Sequence, residues 1–216
     1  SETGRPVLEK IIDRGVTVDS KALNHIIEQG PNLGESALFW LAGSETGRPI
    51  LQKMNDSNVT IESQTLNHII EQGPYRGISA LYSLARTLTG CMILGKMINR
   101  GITIDSKALN HIIEQGSEQG ESALFWMALN EEGRRILRRI IDRNVTIDSK
   151  TLNHIIEQGI YRGQTAVCIL AVGKTGREIL YKKGLCLMID MICLSNLTII
   201  NLFESPGLAS FLANVP

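Results

Sequence analysis

Between Gly34 and Gly73 the apolar residues change their spacing three times, and glycine or asparagine marks the boundaries. Ala37, Leu38, Leu41 and Ala42 recur at the interval of a helix packed along one side, with Ser36 at its start as a cap. Ile50, Leu51 and Met54 repeat that interval after Gly47, and Pro49 falls where a first helical turn tolerates proline. The spacing predicts a second helix over 48–57. Val59-Thr60-Ile61 reads as a short extended piece. Beyond it, Leu66, Ile69 and Ile70 fall on one face and Asn67, His68 and Glu71 on the other, predicting a third, amphipathic helix over 66–72 that Ser63 caps and Gly73 ends.

This unit recurs. Leu-Asn-His-Ile-Ile-Glu-Gln-Gly occupies 23–30, 66–73, 109–116 and 152–159, each copy 43 residues after the last. A fixed period of that length is the signature of stacked supersecondary units, so the predicted fold class is all-α, an α-solenoid of helical repeats over 1–183. At the end of each second helix stand Gly15, Asn58, Gly101 and Asn144, the residue types that adopt positive φ most cheaply, and all four are expected to do so. Ser1-Glu2-Thr3-Gly4-Arg5-Pro6 copies the interior string Ser44-Glu45-Thr46-Gly47-Arg48-Pro49, so the chain opens in mid-repeat and a longer parent protein is expected. After Lys182 the period fails, and 184–216 reads as a degenerate repeat or cap. Its run of Leu185, Leu187, Met188, Ile189, Met191, Ile192 and Leu194 points to docking against another chain, self-association or an altered reading frame. Asp190 would cost about 2.5–3.5 kcal/mol near the centre of a membrane-spanning helix, so no membrane role is expected.

Gly34-Glu35-Ser36-Ala37-Leu38-Phe39-Trp40-Leu41-Ala42, the stripe Ile50-Leu51…Met54, and Asn58-Val59-Thr60-Ile61 together resemble the ankyrin repeat. That family's pattern is Gly-x-Thr-Pro-Leu-His-x-Ala-Ala, a second helix, then Gly-Ala-Asp-Val. Alanine stands here for its proline, an aromatic for its histidine, and the period is longer than the family's ~33 residues. The added residues are the Leu-Asn-His-Ile-Ile-Glu-Gln-Gly segment, where ankyrin repeats carry a hairpin finger. A three-helix unit of this length is also similar to an armadillo repeat. Both resemblances imply protein or peptide binding, and the likeness to long arrays in effectors of intracellular bacteria implies a host protein as partner.

Lysine and arginine number 22 and aspartate and glutamate 22, so no net charge draws the chain to nucleic acid or an anionic membrane. Cys91, Cys168, Cys186 and Cys193 sit at unmatched places in the repeat, which points to reduced thiols and a cytoplasmic setting. His25, His68, His111 and His154 recur once per repeat. With packed helices about 8–10 Å apart, neighbouring copies could share one metal only by strong inward convergence, so polar ladders with Asn24, Asn67, Asn110 and Asn153, or bonds to the preceding loop, are expected instead. No catalytic triad, phosphate loop or dinucleotide fingerprint is legible, and no cofactor is expected. Arg134, Arg135, Arg138, Arg139 and Arg143 read as a solvated outer face balanced by Glu131, Glu132 and Asp142.

Positions that vary between repeats are free for recognition. The connectors read Pro31-Asn32-Leu33, Pro74-Tyr75-Arg76, Ser117-Glu118-Gln119 and Ile160-Tyr161-Arg162, and the place two past Leu38 reads Trp40, Ser83, Trp126 and Ile169. Trp40 and Trp126 should point away from the core, on one face with the connectors. Trp40, Trp126, Tyr75, Arg76, Tyr82, Tyr161, Arg162 and Asn32 are therefore the predicted partner-binding residues, of the types enriched in binding hot spots. The predicted function is a non-enzymatic scaffold for a protein or peptide, with no small-molecule substrate. The alternatives are a modular nucleic-acid binder, or a region positioning substrate for a catalytic domain elsewhere.

Overall fold

The computed structural model describes residues 18–182, with Lys10 and Arg14. Among them are twelve helices and no strand: α1 (Ser20–Asn24), α2 (Ala37–Gly43), α3 (Gly47–Asp56), α4 (Ser63–Asn67), α5 (Ala80–Ala85), α6 (Leu88–Asn99), α7 (Ser106–Asn110), α8 (Ala123–Leu129), α9 (Glu131–Asp142), α10 (Ser149–Leu152), α11 (Ala166–Val172) and α12 (Lys174–Lys182). The fold is all-α. The segment 184–216, Cys186, Cys193 and Gly15 lie outside the described residues.

Each unit is a short helix, a first helix and a second helix, and each element meets its counterpart one repeat on. First helices pack α2 on α5, α5 on α8 and α8 on α11; second helices pack α3 on α6, α6 on α9 and α9 on α12. One continuous core results. Leu38, Leu81, Leu124 and Val167 line it from the first helices, and Leu51, Leu94, Leu137 and Leu180 from the second. Ala37, placed on the apolar stripe by its spacing, is exposed, and Phe39 is buried in its stead.

The two main helices join closely because of one glycine. A Cβ on Gly47, Gly90, Gly133 or Gly176 would stand 2.1–2.6 Å from the carbonyl oxygen of Leu41, Leu84, Met127 or Leu170, so no other residue fits. Ser36, Ser79, Ser122 and Thr165 cap the first helices as expected, each accepting a hydrogen bond from a backbone N–H three residues on. At the end of the second helices, φ is 61° at Asn58, 96° at Gly101 and 65° at Asn144, as predicted. There Val59, Ile102 and Val145 donate back to Met54, Met97 and Ile140 at 3.0–3.1 Å, closing the helix with a Schellman turn.

The third element differs from its prediction. The helix spans Ser63–Asn67 rather than 66–72, and the histidine that follows is already extended, with φ −63° and ψ 122° at His68. Asn67 ends it by side-chain competition. Its Nδ2 donates to Ser63 O at 2.7 Å, within its own helix, and to Thr103 O of the next repeat at 2.8 Å, while its Oδ1 accepts from Asp105 N at 3.0 Å. The remainder of the octapeptide runs into a hairpin-like turn, where Ile70 N donates to Ile78 O and Gly77 N to Ile70 O. Leu66 and Ile70 are still buried, as are Leu109, Ile113, Leu152 and Ile156. Burial at both residues therefore did not require the helix to continue between them.

Ser63 is not the cap either. Asp19 and Asp105 occupy that place and accept from Lys21 N and Lys107 N. The serines instead reach forward: Ser20, Ser63 and Ser106 Oγ accept from Thr60, Thr103 and Thr146 N of the next repeat at 2.9–3.1 Å. Asn24 and Asn110 repeat the bonds of Asn67 to the following extended segment. Serine and asparagine thus satisfy, at each of the three interfaces within the described residues, backbone groups of a single extended segment that has no strand partner.

Replacing Asn67 by alanine should therefore lower stability by about 1–3 kcal/mol, because Thr103 O and Asp105 N lose their partner. Asn153, which among the described residues bonds Ser149 O, should cost less when replaced by alanine. Urea unfolding of the two variants measures the difference.

Candidate partner-binding site

Two aromatic clusters, 86 positions apart, form where a first helix meets the connector of the following repeat. Trp40 on α2 meets Tyr75 edge-on, ring centroids 5.3 Å apart, and Phe39 completes the cluster at 5.8 Å from Trp40 and 5.4 Å from Tyr75. Trp126, Tyr161 and Phe125 repeat it at 5.3, 5.4 and 6.1 Å. Such edge-to-face contacts fix ring orientation as well as burying area. Each indole N–H donates at 2.8 Å to a glutamate five residues before it, Glu35 or Glu121. The helix residue and the loop residue, expected on one face, are in direct ring contact.

The two clusters differ in what covers them. Trp40 is 43% exposed. Trp126 is half-buried, because the Arg86 guanidinium stands 5.2 Å over its ring and 5.6 Å from that of Tyr82, while pairing with Glu118 at 3.5 Å. The Tyr82 hydroxyl donates to the same Glu121 oxygen as Trp126. Burial, and then its bond to the Glu121 carboxylate, hold that phenol well above the ordinary tyrosine range, so it stays protonated as a donor.

Tyr82 must be corrected as a predicted surface residue: it is 3% exposed and shares the register of Phe39 and Phe125, which face the core. Asn32, Arg76 and Arg162 are exposed, and Tyr75 and Tyr161 are half-buried in their clusters. Arg76 approaches Glu114 at 3.9 Å, both lining a groove of about 780 Å³. Glu35, Glu121 and Arg86 were missed. The signal available was register: Glu35 and Glu121 recur with the tryptophans, and Ile78 stands at that place in the repeat between them.

On the groove side the histidines hold a second pattern. A Cβ at Gly34, Gly77 or Gly120 would lie 3.3–3.4 Å from Nε2 of His68, His111 or His154, so each ring packs on the connector glycine of the repeat before it. The three Nε2 atoms are buried and have no hydrogen-bond partner. This corrects the expectation that histidine joins the polar ladder: asparagine carries it, because the glycine offers the imidazole only its CH₂. Among the described residues no group of three His, Cys, Asp or Glu is placed to hold a metal ion.

Three of the five arginines on and just after α9 meet carboxylates, while Arg139 donates to Asn99 Oδ1 at 3.3 Å and Arg143 to Ile98 O at 3.0 Å. Glu131 pairs with Arg134 at 3.1 Å, Glu132 with Arg135 at 3.4 Å, and Arg138 with Glu178 of the next repeat at 2.8 Å. Asp142 meets Lys182 instead of an arginine. These exposed pairs contribute little each, on the order of 0–1 kcal/mol. Among the described residues Cys91 and Cys168 are free thiols, and burial pushes the Cys91 thiol up to about 11, which makes it a poor nucleophile. No helix of the described residues is long and apolar enough to cross a membrane.

Burial lowers the His68 and His111 imidazoles below the usual histidine range; Glu71 and Glu114 oppose this and Lys107 adds to it. A base so depressed takes up protons on unfolding, so the native state is least penalised above the unfolded value of about 6.5, and stability is lost as pH falls from there through the lower folded-state value. The urea midpoint should drop between pH 7.5 and 5.5, and the drop should shrink in a His68→Asn/His111→Asn variant. In acrylamide quenching, Trp40 should be more accessible in Trp126→Phe than Trp126 is in Trp40→Phe. Adding Arg86→Ala to the latter should raise its quenching toward the Trp40 level. Compared with known proteins, the chain matches no family model, no curated protein and no solved structure.

Proposed function

We propose that this chain is an ankyrin-like α-solenoid acting as a non-enzymatic scaffold that binds a protein or peptide across its connector face. The observation that carries this reading is a division of labour within the repeat. Serine, asparagine and histidine, identical from unit to unit, are spent on contacts between neighbours. The connectors vary, and they bring half-buried tyrosines against the tryptophans with an exposed arginine next in sequence. Aromatic rings pre-oriented by edge contacts lose little freedom on binding, which suits them to anchor a partner.

The carboxylates that meet Arg134, Arg135 and Arg138 on α9 favour a protein over a nucleic acid, since arginines already paired within the fold release few counterions on binding a phosphate chain. The free, buried Cys91 supports a reducing, cytoplasmic setting. The resemblance to arrays in bacterial effectors extends the proposal to a host protein as the partner.

A displayed-peptide selection against the immobilised protein tests this. Selected peptides should lose tenfold or more in affinity, about 1.4 kcal/mol, in a Tyr75→Ala/Arg76→Ala or Tyr161→Ala/Arg162→Ala variant, and should bind with little change between 50 and 300 mM salt. Peptides indifferent to both variants would sink the reading, as would oligonucleotides that bind more tightly than any peptide and are released by salt.

A further inference from the structure

His111 presses on the connector that carries two of the predicted binding residues. A Cβ at Gly77 would stand 3.3 Å from its Nε2, and that nitrogen is buried without a hydrogen-bond partner. The connector is stiff: Ile78 N donates to Tyr75 O at 3.0 Å and Gly77 N to Ile70 O at 2.7 Å. A displacement of Gly77 therefore reaches the Tyr75 ring, which packs on Phe39 and Trp40. The glycine after Tyr161 and Arg162 has no such partner among the described residues. A Cβ at Gly163 would meet nothing within 4 Å, and the place one repeat after His154 is Leu197 in the sequence.

The contact suits only a neutral ring. Neutral imidazole has one N–H and can keep it on Nδ1, leaving Nε2 bare against the glycine CH₂; the protonated ring has an N–H on both nitrogens and needs an acceptor or water at each. Gly77 offers neither. A groove of about 780 Å³ lies beside His111, lined also by His68, Glu71, Asp105, Lys107 and Glu114, with Arg76 at 3.9 Å from Glu114. A second groove brings Asp148, Lys150 and His154 of the next repeat to the same imidazole. Four carboxylates against three fixed cations line the two grooves, so a protonated ring is better placed there, with water and Glu71 or Glu114, than on the glycine.

We propose that His111 is a pH-sensitive positioning residue for the partner-binding face. Neutral, it props the connector 73–77 and keeps Tyr75 and Arg76 in place; protonated, it leaves Gly77 for the groove and the connector loosens. Burial, opposed by Glu114 and aided by Lys107, holds the imidazole below the ordinary histidine range. The docked ring is therefore the state at neutral pH and is lost as pH falls through that lowered value. The Tyr161 connector, with no imidazole on its glycine, lacks this response. The consequence for binding rests on the protein-binding reading, whereas the movement of the connector stands apart from it.

The test follows ¹³C-labelled tyrosine rings, assigned with Tyr75→Phe and Tyr161→Phe, together with the imidazole signals from pH 7.5 to 5.0. The expected result is a Tyr75 shift with the midpoint of the His111 titration, absent from His111→Asn, and a Tyr161 signal that does not follow His111. Should the variant fail to fold, the wild-type midpoints decide alone. A Tyr75 ring unmoved while His111 titrates, the same Tyr75 shift in His111→Asn, or a His111 that takes up no proton by pH 5.0 would overturn the inference. Peptides selected through Tyr75 and Arg76 should bind about threefold or more weakly at pH 5.0 than at pH 7.5, as when the competent fraction falls to about a third. That loss should vanish in His111→Asn, and its persistence there would also count against the inference. Failure to select any such peptide sinks the protein-binding reading and leaves the connector movement to the tyrosine signals.

Discussion

An extended segment of three residues, repeated along the chain, has no strand beside it, and the structure depends on how its polar groups are satisfied. Thr60, Thr103 and Thr146 each present an N–H and a C=O toward the short helix of the repeat before, and that helix answers with a serine hydroxyl and an asparagine carboxamide. The carboxamide has the donor and acceptor of a peptide group, so it pairs with the segment much as a neighbouring strand would. Apolar burial between first helices and between second helices supplies the bulk of the stabilisation, but it is non-directional. The asparagine bonds fix the register. Where Thr65 and Thr151 stand in the short helix, their hydroxyls add a bond to Asn24 O and Asn110 O; Ala108, at the same place between them, cannot.

Hydrophobic spacing located the two longer helices to within a residue or two, because each buries an uninterrupted stripe. The third was misread for a physical reason. Leu66 and Ile70 are buried four residues apart, which fits a helix, but Asn67 diverts its side chain to the preceding turn and the next repeat, and the two isoleucines continue in extended form. The burial of Leu66 and Ile70 alone cannot reveal that competition, since both conformations bury them; the difference falls on Ile69, which a continuous helix would put on the same face and which is only half-buried.

The candidate site was legible in parts. Tryptophan on a helix and tyrosine in a connector could be chosen from variability and residue type, yet their contact depends on the stacking offset between repeats, which no local pattern encodes. Glu35 was passed over because a single glutamate before a helix reads as surface; only the bond to the Trp40 indole shows why it is buried. Tyr82 was placed outside for being a tyrosine, although its register with Phe39 and Phe125 assigned it to the interior.

The structural bonds and the aromatic clusters have different periods. Serine, asparagine and connector glycine recur in every unit, whereas the Glu-Phe-Trp set recurs in alternate units. Loss or duplication of one 43-residue unit by unequal exchange would therefore rejoin every serine and asparagine contact and leave a foldable array. It would also bring two tryptophan layers, or two layers without tryptophan, into direct contact. Only exchange in pairs keeps each tryptophan layer next to the kind of neighbour it has now. The pair is thus the heritable unit of the aromatic pattern, while the single repeat is the heritable unit of folding.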